Sequence, residues 1–108
     1  MKILVKNIKI FLYYDSALLF EVLTDKNIKY LFMAIKPEKR YQYVAIEISD
    51  YRMKKIFENK IDILNGFIKK EKKEWYIAKP IKEGFKLKKY NGKVVKKYLP
   101  EKGLYLND

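Results

Sequence analysis

After Lys29, the residues Tyr30, Leu31, Phe32, Met33, Ala34 and Ile35 leave no polar side to a strand. Successive side chains of a strand point to opposite faces, so a run of this kind has to be covered on both. Whatever the chain folds into, residues 28–35 belong near its centre.

Three further runs, residues 8–14, 17–24 and 41–48, are rich in β-branched and aromatic residues. Asp15-Ser16, Asp25-Lys26-Asn27 and Lys36-Pro37-Glu38-Lys39-Arg40 separate them, with the composition and length of hairpin turns. Residues 1–48 therefore read as a β-meander. A helical segment follows over 49–68. Ser49 is placed to cap it, Asp50 suits the positive end of its dipole, and Met53, Ile56 and Phe57 form a core-facing stripe. The main helix is expected from Ser49 to about Asn59, with a second short turn or helix over 60–68 for which Asp62 is the candidate cap.

Residues 74–78 read as a strand that returns to the sheet. Asn91-Gly92 then joins residues 85–90 to 93–98 as a two-residue hairpin. Counting outward from that turn puts Phe85, Leu87, Lys89, Val94, Lys96 and Tyr98 on one face. Lys86, Lys88, Tyr90, Lys93, Val95 and Lys97 fall on the other. Residues 99–108 form a tail. The expected fold is one α+β domain: a twisted antiparallel sheet, as a meander or half-open barrel, packed on one main helix and extended by a C-terminal hairpin.

The chain has 108 residues, enough for one core. Its 49% hydrophobic content argues for a packed globule despite 35% charge. It contains neither cysteine nor histidine, which removes disulfides, thiol nucleophiles, imidazole bases and the usual zinc sites. Ser16, Ser49 and Thr24 have no imidazole to activate them. The glycines Gly66, Gly84, Gly92 and Gly103 are scattered singly, so no phosphate-cradling loop is present. Asp15, Asp25 and Asp62 fall at turns or caps. Glu21 and Glu47 lie within strands, where lysine partners on a solvated face explain them better than acid–base chemistry or a cation. No catalytic residue, metal or cofactor is expected. No stretch approaches the roughly 18 apolar residues of a membrane span, and Lys6 and Lys9 break up the apolar start. The expectation is a cytoplasmic protein with no membrane partner.

The net charge is +12. Of 25 basic residues only Arg40 and Arg52 are arginine, and 13 isoleucines stand against 4 alanines. A/T-rich coding raises Lys, Ile, Asn and Tyr together, so the total alone says little. The distribution says more: residues 1–65 hold 12 basic and 8 acidic groups, residues 66–108 hold 13 and 5. Lys86, Lys88, Lys93 and Lys97 surround Tyr90 on one hairpin face. That face reads either as a protected sheet edge or as a surface for phosphates and a stacked base. Lys69, Lys70, Lys72 and Lys73, just before Trp75 and Tyr76, form a second basic patch. Ten tyrosines are many for so small a core, and Tyr41 and Tyr43 beside Arg40 are candidate interface anchors.

Phe11-Leu12-Tyr13-Tyr14-Asp15, Leu18-Leu19-Phe20, Tyr30-Leu31, Tyr43-Val44-Ala45-Ile46 with Ser49, and Lys60-Ile61-Asp62-Ile63-Leu64 resemble a family of small uncharacterised bacterial and phage domains. The likeness covers about residues 1–78. Asn59 stands where that pattern has glycine. The family brings no activity and no site residue; the resemblance implies an accessory or mobile-element protein. The expected function is a small non-enzymatic binding protein docking on a protein or protein–nucleic acid complex, as a phage or mobile-element inhibitor of a host defence complex. The alternative is a sequence-nonspecific RNA- or DNA-binding protein using the lysine hairpin.

Overall fold

The structure is a computed structural model that describes residues 1–14, 16–35, 42–62 and 74–89, the side chains of 13, 14, 16 and 17 excepted. Six strands follow in chain order: β1 (Lys2–Tyr14), β2 (Ser16–Thr24), β3 (Lys29–Ala34), β4 (Tyr43–Glu47), β5 (Tyr76–Ile81) and β6 (Gly84–Lys89). One helix, α1 (Asp50–Phe57), lies between β4 and β5. Each strand pairs antiparallel with the next, and β6 pairs back onto the start of β1, so the sheet closes into a barrel.

Closure overturns the expected α+β class, a sheet packed on one main helix. The fold is a closed β-barrel, and α1 is an eight-residue appendage to its outer wall. Two local features account for the difference. Strand β1 begins at Lys2, not at residue 8, and is long enough to serve two partners. Its first residues take β6 through Lys2↔Lys86, Ile3↔Phe85 and Leu4↔Gly84, and the rest takes β2. Register shifts between Val5 and Asn7 and between Ile10 and Tyr13 bend it from one partner to the other. Strand β5, in turn, runs through Pro80 to Ile81, and the two residues Lys82 and Glu83 turn it into β6. The Asn91-Gly92 hairpin expected from the sequence lies outside the described residues.

The barrel interior holds residues from all six strands: Ile3, Phe20, Val22, Tyr30, Phe32, Ala45, Ala78, Phe85 and Leu87. Aromatic rings fill it, Phe32 lying 4.6 Å from Phe85 and 5.2 Å from Phe20 between centroids. A second cluster lies on the outer wall, where Leu31, Val44, Ile46 and Ile77 meet Met53 and Ile56 of α1 and Trp75. The two-faced segment is thus covered on both sides. Phe32 faces the interior cluster, Leu31 faces the outer one, and both are fully buried.

Ser49 caps α1 as its sequence position implies, its Oγ accepting the Arg52 N–H at 3.1 Å. The helix ends at Phe57 with Glu58 as its C-cap, and Asn59 just beyond takes a left-handed φ of 56°. Lys60 N–H donates to the Lys55 carbonyl and Asn59 N–H to that of Ile56, closing the last turn. Phe57 reaches past the wall, its ring 4.8 Å from Phe11 with the Lys9 ammonium over it.

Candidate polyanion-binding wall

Strand β6 alternates strictly. Phe85 and Leu87 point into the barrel, and Lys86 and Lys88 are exposed on its outside. This matches the faces counted from the sequence. Residues directly opposite in an antiparallel pair share a face, with Cβ atoms about 5 Å apart. Lys86 is opposite Lys79 on β5 and opposite Lys2 on β1. Three lysines from three adjacent strands therefore stand in one row across the outer wall. All three are exposed.

Register alone assembles this row, because Lys2 and Lys86 meet only when the barrel closes. The junction is tied further by the Leu87 N–H donating to the Met1 carbonyl at 2.7 Å and the Val5 N–H to the Glu83 carbonyl at 3.2 Å. Lys88 lies one outward position further along β6, opposite Ile77. Among the described residues, no ion pair engages Lys2, Lys79 or Lys86.

Three other described lysines, Lys29, Lys60 and Lys89, find carboxylates. Lys29 bridges Glu21 at 2.7 Å and also Asp50, which answers the question of the mid-strand Glu21. Burial works against the Lys29 charge, but the hydrogen bonds and charges of Asp50 and Glu21 outweigh it and hold its pKa above the ordinary value. Lys60 lies 3.5 Å from Glu58, and Lys89 lies 3.7 Å from Glu74. A cleft of about 640 Å³ beside Lys29, Glu47, Ser49 and Asp50 therefore carries mixed charge, unlike the lysine wall. Among the described residues, no three His, Cys, Asp or Glu side chains are grouped to hold a metal ion. None of the described helices is long and apolar enough to cross a membrane.

Of the residues singled out in the sequence, the structure places Lys86 and Lys88 on the wall. Tyr43 is half-buried, and its ring packs 5.1 Å from Phe20 and 6.0 Å from Phe85, so it serves the interior cluster. Arg40, Tyr41, Lys69, Lys70, Lys72, Lys73, Tyr90, Lys93 and Lys97 lie outside the described residues. Sequence reasoning missed Lys79 and Lys2. The signal for Lys79 was its place between the apolar pair Ile77-Ala78 and Ile81 in a strand that tolerates Pro80 at its end. Lys2 had no local signal.

Compared with known proteins, the chain matches no family model, no curated protein and no solved structure. The resemblance over residues 1–78 thus brings no activity, and the functional reading rests on the wall itself.

Proposed function

We propose that the chain is a non-enzymatic binding module that docks on nucleic acid through the outer wall of β5, β6 and β1, contacting phosphates without reading base sequence. The observation that carries this reading is the row Lys79–Lys86–Lys2. Like charges directly opposite on a sheet destabilise it, and nothing in the described fold offsets that cost. A bound polyanion would. Lysine suits the task as a mobile point charge toward phosphate, whereas specific base contacts favour arginine's fixed fork. Only Arg52 among the described residues is an arginine, and it sits on α1.

A second reading, docking on a protein as an inhibitor of a defence complex, is favoured by Tyr51. It is 69% exposed on α1 with the Lys55 ammonium 4.8 Å from its ring centre, an aromatic of the kind that anchors interfaces. The readings separate by fluorescence anisotropy of labelled RNA and DNA oligonucleotides. Reversing the row with Lys2→Glu, Lys79→Glu and Lys86→Glu should abolish binding, and Tyr51→Ala should leave it intact. Oligonucleotide binding that survives the triple reversal would refute the nucleic-acid reading.

A further inference from the structure

A cavity of about 420 Å³ opens at the barrel end where β1 starts and β2 turns into β3. Its volume lies in the range of small-molecule sites, and barrel mouths are common places for them. Ile3, Leu4, Ile28 and Met1 supply apolar walls, and Tyr30 also lines it. The β2–β3 turn forms one rim and is built firmly. Thr24 accepts the Ile28 N–H on its Oγ1 at 3.1 Å and the Asn27 N–H on its carbonyl at 3.0 Å, with Asn27 held at a φ of 61°. The charged residues that line the cavity are Lys2, Lys26 and Asp25.

Two observations say what could enter. Tyr30 is 4% exposed, and it lines the cavity. A tyrosine on a cavity wall offers its hydroxyl to a ligand that brings an acceptor, as the few polar groups of small-molecule sites do. The hydroxyl stays a neutral donor, because burial first, and then Tyr76 and Glu47, push its pKa up to about 12. Lys2 belongs both to this cavity and to the lysine row. The row therefore ends at the cavity mouth.

We propose that the cavity takes one nucleobase of a single strand whose phosphates follow Lys2, Lys86 and Lys79. A base has apolar faces for Ile3 and Ile28, carbonyl or ring-nitrogen acceptors for the Tyr30 hydroxyl, and a phosphate on its sugar for Lys2 or Lys26. A duplex keeps its bases stacked and paired and cannot offer one without first extruding it. The module therefore prefers single strands or a free nucleotide to duplex. This inference rests on the lysine-row reading and deepens it.

The test is anisotropy with the whole chain against three labelled probes of equal length: a single-stranded DNA, its duplex, and a single strand with abasic sites. A ¹⁵N chemical-shift titration with a nucleoside monophosphate accompanies it. The single strand should bind tightest, and Tyr30→Phe should reduce its advantage over the abasic strand about fivefold, as the loss of one hydrogen bond implies. The nucleotide should shift the amides of Ile3, Thr24, Ile28 and Tyr30. If all three probes bind alike, with shifts confined to Lys79 and Lys86, the cavity proposal fails and the lysine row stands. If neither oligonucleotide nor nucleotide binds, both fail together. Shifts at the cavity with the free nucleotide but no single-strand advantage would restrict the site to free nucleotides and overturn the strand-threading proposal.

Discussion

A Cβ built on Gly84 would stand 2.9 Å from the Ile3 carbonyl carbon and closer still to its oxygen. No side chain fits there, because β1 passes directly over β6 at the point where the barrel closes. A methyl group would have to push the two backbones apart, and with them the pairing that sets Lys2 beside Lys86. Gly84→Ala should therefore cost about 3 kcal/mol or more, as backbone clashes in a packed core do. Urea unfolding measures this. A midpoint unchanged from wild type would mean that β1 and β6 do not close as described.

The two-sided burial of β3 makes its own prediction. Phe32 belongs to the barrel interior and Leu31 to the outer cluster with Met53 and Ile56. Leu31→Ala should cost about 2–5 kcal/mol and Phe32→Ala about 3–5 kcal/mol, in separate variants followed by chemical denaturation. A cheap Leu31→Ala, within about 0.5 kcal/mol of wild type as surface changes are, would show that the outer wall is not covered.

Charge reversal at a single wall position should trade binding against stability. Lys86 faces Lys2 on one side and Lys79 on the other, so Lys86→Glu replaces two repulsions with two attractions. The variant should gain about 1 kcal/mol in unfolding free energy while losing affinity for oligonucleotides. Thermal melting and anisotropy on the same sample test the pair of effects. A variant less stable than wild type would contradict the row.

Alkaline stability follows from the tyrosines. Tyr30 is pushed up to about 12 and Tyr76 also upward, each chiefly by burial, against about 10 in an unfolded chain. Between those values the folded state holds protons that the unfolded state has lost, so stability falls as the pH rises from about 10 to 12. Lys29 acts in the same sense, its contribution present below the ordinary lysine value and lost as the pH passes its raised one. Tyr30→Phe should flatten the fall in unfolding free energy over that range, which denaturation at stepped pH will read. An unchanged slope would place Tyr30 in contact with water.

Much of the barrel wall was legible residue by residue. The unbroken apolar run at Tyr30, Leu31 and Phe32 demanded cover on two sides. Ser49 announced its helix through the capping rule, and the alternation of Phe85, Lys86, Leu87 and Lys88 assigned faces correctly. These signals are local, carried by period and by turn chemistry. Closure is not. It joins Lys2 to Lys86 across almost the whole chain, and neither periodicity nor composition encodes which strand a distant edge will meet. The lysines at 2, 6 and 9 hid the start of β1, and the turn residues Lys82-Glu83 carry no strong turn signal of their own. Once closure is missed, a helix beside an open sheet becomes the natural guess, and the wall formed by Lys2, Lys79 and Lys86 cannot be seen. The cavity beneath Lys2 is hidden for the same reason.

The most direct test of the lysine wall is the salt dependence of oligonucleotide binding. Each phosphate neutralised by a lysine contributes about 0.7 to the slope of log affinity against log salt for a single strand and about 0.9 for a duplex. Neutralising the row with Lys2→Gln, Lys79→Gln and Lys86→Gln should lower the magnitude of the single-strand slope by about 2, with the far-UV spectrum of the barrel unchanged. A wild-type chain that binds no oligonucleotide, or a triple variant that binds with the wild-type slope, would contradict the account.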